Sequence, residues 1–151
     1  MTSVFGKLNL KDQTEILVLN APDSIEPELA ALAGVNILRD AREARHVTFA
    51  LAFVTAQQQV NAIAPVIAKK TQSDAIVWFA YPKGTSKKYR SDINRDSGWD
   101  VMGQAGFEPV RQVAIDEDWS ALRFRRVEFI KSMTRRESFA MTKQGKAKTK
   151  K

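Results

Sequence analysis

The chain has 151 residues, 44% of them hydrophobic, which suits one ordinary domain with a real core. It has no cysteine and a single histidine, His46. That excludes disulfides, thiolate zinc centres, cysteine nucleophiles and a histidine-rich metal site within one chain. The net charge of +7 is unevenly placed: residues 131–151 hold eight basic side chains and one acid, and residues 1–130 hold 16 of each.

The excess charge is therefore not evidence that the body itself reads nucleic acid. The reading is a body over residues 1–130 and a basic, flexible tail over residues 131–151. No run approaches the roughly 18 apolar residues of a membrane span, and the segment MTSVFGKLNLKD has no apolar signal-peptide core. A cytoplasmic protein is expected.

In chain order, EILVLN (residues 15–20) reads as a fully buried strand, short and apolar. A helix is expected next, capped by Asp23 or Ser24 and left at Gly34. Residues 35–38 suggest a second strand and residues 39–46 a charged connection. VTFALAFV (residues 47–54) is another all-apolar strand. Thr55 is expected to cap a helix to about Lys70, with Val60, Ile63 and Ile67 on one face and Pro65 kinking it. AIVWFAY (residues 75–81) is a third buried strand. A polar stretch leads to a helix ending near Gly106, and residues 110–115 and 122–127 form an antiparallel pair.

Apolar strands alternating with helices define an α/β class: a Rossmann-like, three-layer domain with a mostly parallel sheet and a C-terminal antiparallel hairpin. One link strains this picture. Leu38 and Val47 stand too close for a helical crossover, and parallel neighbours need a dozen residues or more. Beyond Val127, residues 129–133 and 139–141 suggest a short helix, and KQGKAKTKK has nothing to bury.

Three separated segments carry a resemblance: LVLNAP (residues 17–22), YPKGTSKKYRSDINRDSGWD (residues 81–100) and VAIDEDWSALRF (residues 113–124). In the last, Asp116, Trp119, Ser120, Leu122 and Phe124 fill an Asp-x-x-Trp-Ser-x-Leu-x-Phe pattern. Their order resembles that of a bacterial family of unknown function, over roughly residues 7–128. The resemblance implies a Rossmann-like fold similar to a shortened methyltransferase core. It implies no activity.

The first strand-to-helix turn is where such folds bind nucleotides, and a dinucleotide or adenosylmethionine site needs glycines there, so that the backbone can approach the ligand and the helix N-terminus can face phosphate. Here it is Asn20-Ala21-Pro22-Asp23, without glycine, and it reads as a structural turn with no cofactor. Lys83, Gly84, Thr85, Ser86, Lys87 and Lys88 follow a strand end, where open sheets bind ligands, but lack phosphate-loop spacing. Asp92, Asn94 and Asp96 alternate like a calcium loop, yet Ser97 and Gly103 stand where glycine and glutamate are required. Asp96 or Ser97 then reads as a helix cap. Asp116, Glu117 and Asp118 read as an acidic turn tip, Trp119 as core closure or a stacking surface, and His46 beside Arg42 and Arg45 as surface loop.

No catalytic and no metal-binding residues are expected. The main functional reading is a non-catalytic binding or interaction domain on a degenerate Rossmann-like scaffold, without a cofactor. One alternative is an enzyme or sensor for a small anionic ligand at the strand ends, through Asn20, Lys83, Thr85, Ser86, Arg95 and Trp119. Another is a nucleic-acid accessory protein acting through the tail residues Lys143, Lys146, Lys148, Lys150 and Lys151 by counterion release.

Overall fold

A computed structural model describes residues 4–11, 13–93 and 98–130, apart from the side chains of residues 72 and 73. The expected short helix over residues 129–141 falls almost wholly outside them. Helix α1 is Val4–Lys7, strand β1 is Glu15–Leu19, and a 3-10 turn at Asp23–Ile25 leads into α2, Glu26–Ala30. Strand β2 is Asn36–Leu38. A second 3-10 turn, Ala41–Glu43, precedes β3, Val47–Phe53. Helix α3 is Gln57–Lys70, β4 is Thr71–Pro82 and α4 is Asp100–Gln104. Strands β5, Phe107–Ala114, and β6, Trp119–Arg126, complete the sheet before a last turn at Val127–Phe129.

The strand order is β2-β1-β3-β4-β6-β5. The first four strands are parallel, and β6 is antiparallel to both of its neighbours. The architecture is thus mostly parallel, mixed only at the C-terminal hairpin.

The apolar runs are buried on both faces because helices lie on both. In β3, Phe49, Leu51 and Phe53 face one core with Phe5 and Leu8 of the α1 segment and Ile25 and Leu29 of the α2 segment. Ala50, Ala52 and Val54 face the other, with Val60, Ala64 and Ile67 of α3 and Met102 of α4. Alternation with period 2 across two covered faces leaves no polar side to a strand. Trp78 is 1% exposed and its indole N–H donates to the Leu8 carbonyl at 2.8 Å. Each large side chain buried this completely stabilises the fold by about 1.5–3 kcal/mol.

The order resolves the short link between Leu38 and Val47. Strands β2 and β3 are not neighbours; both pair with β1, on opposite sides. The hairpin forms an antiparallel edge, as expected. Its last strand inserts between β4 and β5, so β5 is the edge.

Several local expectations are corrected. Neither Asp23 nor Ser24 caps: Pro22 precedes the 3-10 turn, Ile25 precedes α2, and neither makes a side-chain cap bond. The N-cap of α3 is Ala56, and Thr55 instead gives its N–H and hydroxyl to Gln59. Helix α3 runs through Pro65 to Lys70, with that proline on its exposed side. The N-cap of α4 is Trp99, without a side-chain bond, and Asp96 and Ser97 lie outside the described residues.

Candidate functional site

The connection from β1 leads to β2 on one side, and that from β3 leads to β4 on the other. The gap between β1 and β3 is therefore the topological switch point, where open α/β sheets bind ligands beyond their carboxyl ends. Asn20 stands there, just after β1. Its φ is 58°, the left-handed conformation that glycine usually supplies and that asparagine tolerates. Its side-chain amide donates across the gap to the Phe53 carbonyl at 3.4 Å.

Beyond the end of β2 lies Asp40, twenty positions after Asn20. An acid at the end of this strand is the group that takes ribose hydroxyls in such folds. Its carboxylate accepts from the Arg42 guanidinium at 2.7 Å and from the Arg42 backbone N–H at 2.9 Å. Those two bonds, the side chain's first, hold its pKa down at about 2. The Arg42 side chain is 90% exposed and that of Asp40 40%, so the pair is a weak surface contact.

Past the end of β4 opens a cavity of about 750 Å³, lined in part by Tyr81, Lys83, Lys87, Tyr89, Arg90 and Asp92. Its wall is a loop tied down at three points. Lys83 N–H donates to the Asp118 carbonyl at 2.8 Å, and the Ser86 hydroxyl to the Asp118 carboxylate at 2.9 Å. Tyr89 packs on Trp119 with ring centroids 4.9 Å apart. Asp92 accepts the Gln57 N–H at 2.7 Å, which places a carboxylate at the N-terminus of α3, where the helix dipole favours it. The lysines and arginine of the wall make no side-chain hydrogen bond or ion pair among the described residues. Among the described residues the one lining acid, Asp92, is already engaged.

The residues expected at the site fall in different places. Lys83, Gly84 and Ser86 line the cavity, but Ser86 also accepts the Tyr89 N–H at 3.1 Å and holds the loop's shape. Thr85 is exposed and is not part of the lining. Trp119 is 3% exposed, edge-on to Phe53 at 5.1 Å, beneath the loop rather than in the cavity. Asn20 belongs to the switch-point crevice. Arg95, and Asn94 and Asp96 of the alternating acids, lie outside the described residues, as do Lys143, Lys146, Lys148, Lys150 and Lys151. His46 is exposed. Asp116 closes the hairpin turn by accepting the Asp118 and Trp119 N–H groups, each at 2.8 Å. Sequence reasoning missed Asp40, Tyr89 and Arg90; for Asp40 the twenty-residue spacing from the turn was a usable signal.

No family model matches the chain, and no curated protein does. Solved structures do match. A SAM-dependent methyltransferase from Aquifex aeolicus aligns with TM-score 0.55 and 10% identity over 82% of this chain and 87% of its own. Fibrillarin from Aeropyrum pernix, with natively bound S-adenosyl-L-methionine, aligns with TM-score 0.50 and 12% identity over 76% and 67%. The N-methyltransferase NodS from Bradyrhizobium japonicum gives 0.50 and 12% over 80% and 89%. At such identities the likeness is one of fold, and the fold is methyltransferase-like.

These matches correct two expectations: that the scaffold is a non-catalytic domain, and that it takes no cofactor. The structures sharing its fold include a SAM-dependent methyltransferase and a fibrillarin with natively bound S-adenosyl-L-methionine. The reasoning failed at an identifiable step. The expectation asked for glycines in the first turn for an adenosylmethionine site as for a dinucleotide one, whereas they are required where backbone N–H groups must approach a pyrophosphate. S-adenosylmethionine has no phosphate, so the proline and acid in Asn20-Ala21-Pro22-Asp23 do not exclude it. The left-handed turn is in place at Asn20. Two acids, Asp23 and Asp40, follow the ends of the adjacent strands β1 and β2.

No described helix is long and apolar enough to cross a membrane.

Proposed function

We propose that the protein is an S-adenosylmethionine-dependent methyltransferase whose acceptor carries negative charge. The observation that carries this reading is the placement, at the same end of one sheet, of two chemically different sets of residues. Asn20 and Asp40 follow the ends of the neighbouring strands β1 and β2; the cavity beyond β4 has Lys83, Lys87 and Arg90. When bound, the cofactor supplies an electrophilic methyl group on a cationic sulfur. The chain's residues would do the positioning. Asp40 would accept the ribose hydroxyls, and Asp23 and Asp40 would favour the cofactor's positive charge over its neutral product. Lys83, Lys87 and Arg90 would hold the acceptor's anionic group, and orientation of this kind supplies much of the rate in a two-substrate transfer. The body carrying this chemistry is residues 1–130, with the basic segment 131–151 outside it.

The test is titration calorimetry with S-adenosylmethionine and S-adenosylhomocysteine, followed by transfer of a labelled methyl group to a panel of anionic and neutral acceptors. The proposal expects saturable binding of both nucleosides, weakened by Asp40→Asn, and transfer confined to anionic acceptors. Absence of binding by either nucleoside would refute it.

A further inference from the structure

The lower part of the sheet face shared with α1 carries a group of arginines that the proposed site does not use. Arg111 on β5 stands directly opposite Arg123 on β6, across a register shift between Pro109 and Arg111. Directly paired residues on an antiparallel ladder have their side chains on the same face, about 5 Å apart at Cβ, and like charges there are destabilising. Arg111 is exposed and Arg123 is half-buried. The Arg123 Nε is enclosed and finds no acceptor.

The acids on this face do not relieve the pair. Asp74 is taken by Arg125 in a bidentate bridge at 2.6 and 2.8 Å. Glu108 is fully buried, opposite Arg125 in register, and has its own contacts. Burial and the neighbouring Arg125 and Arg111 push the Arg123 guanidinium below its ordinary pKa, Asp74 notwithstanding. Packing offers no reason for two guanidiniums to face each other here. An anion that bridges them does, because arginine binds phosphate by paired, charge-assisted hydrogen bonds.

We infer that the Arg111–Arg123 pair is a phosphate contact in a surface that binds the backbone of a single nucleic-acid strand. Charge placement favours a polyanion over a single phosphate. Counted along β6, Arg123 lies four residues from Trp119 at the strand end, roughly 13 Å at the usual strand rise. At that end stand Lys83, Lys87 and Arg90. Positive groups thus recur between Arg123 and the strand end at Trp119, and a phosphodiester chain repeats its charge over such a distance. The inference does not depend on methyl transfer.

The experiment uses the full chain and a 20-nucleotide single-stranded oligouridylate, read by fluorescence anisotropy from 50 to 200 mM salt. Each phosphate contact on a single strand contributes about −0.7 to the slope of log K against log salt. Arg111→Gln/Arg123→Gln removes the one bridged phosphate and is expected to flatten the slope by about 0.7 and to weaken binding about 5–10-fold at the lowest salt. The basic segment, unchanged in this variant, contributes equally to both measurements. If the double variant does not fold, Arg111→Gln alone removes an exposed side chain and should flatten the slope by about 0.7. An unchanged slope in a folded variant overturns the inference. So does arginine-dependent binding to phosphatidylserine vesicles without binding to the oligonucleotide, which would assign the surface to a membrane instead.

Discussion

Replacing Asn20 tests the turn that supports the cofactor reading. The residue sits at φ 58°, where a side chain with a plain Cβ crowds the following carbonyl at a cost of about 1–2 kcal/mol. Asparagine bears part of that cost and offsets it through local polar contacts. Its bond to the Phe53 carbonyl, at 3.4 Å, is too long to contribute much. Asn20→Ala should therefore lose about 1 kcal/mol, which for a body of this size lowers Tm by about 3–5 °C. Asn20→Gly removes the Cβ crowding but loosens the unfolded chain, so it should stay within about 0.5 kcal/mol of the parent. Paired urea and thermal melts measure both. Binding of S-adenosylhomocysteine should survive Asn20→Gly, because the turn keeps its shape. If Asn20→Ala is as stable as the parent while Asn20→Gly is clearly weaker, the left-handed turn is not what this position provides and the reasoning fails.

Other expectations rest on single contacts. Asp92→Ala removes a carboxylate cap from α3 and should cost about 1 kcal/mol in chemical denaturation, with Asp92→Asn losing less. Arg126 donates to the Ala68 and Thr71 carbonyls at 3.0 Å each and lies over the Phe107 ring at 4.7 Å. Arg126→Met keeps the stem but leaves those carbonyls unpaired, and a loss of about 2–3 kcal/mol is expected. Gly98 has φ 100°, and a Cβ there would run into the Ile93 side chain. Gly98→Ala should destabilise by about 2 kcal/mol or more and, in hydrogen exchange, loosen the first turn of α3.

Because its folded pKa is depressed to about 2, Asp40 contributes stability above its unfolded value near 4 and loses it as pH falls toward 2. Nucleoside affinity should therefore be flat from pH 5 to 8 so far as Asp40 is concerned, and a fall within that window that vanishes in Asp40→Asn would contradict its assignment.

The buried strands were legible because a strand covered on both faces cannot hide its composition: residues 16–19, 49–53 and 75–81 are apolar without interruption. The acidic hairpin turn was legible for a similar local reason, since Asp116 closes it with its own side chain. Helix caps were not, because the donors and acceptors came from elsewhere; Asp92 reaches α3 from 35 positions away. Nor was α1, four residues long, whose helical state rests on Phe5 and Leu8 packing under the sheet. Local sequence carries propensity and periodicity, and only those features that depend on neighbours in the chain can be read from it.

Strand order, register and bulges depend on which distant surfaces bury together. They decided that β2 and β3 flank β1, that Asn20 borders a switch-point crevice, and that Arg111 faces Arg123. The sequence alone determined the α/β class through the alternation of apolar strands with helices, the absence of thiol chemistry through composition, and the concentration of charge after residue 130. The site belongs to the tertiary structure, because it is made of strand ends that only the finished sheet brings to one edge.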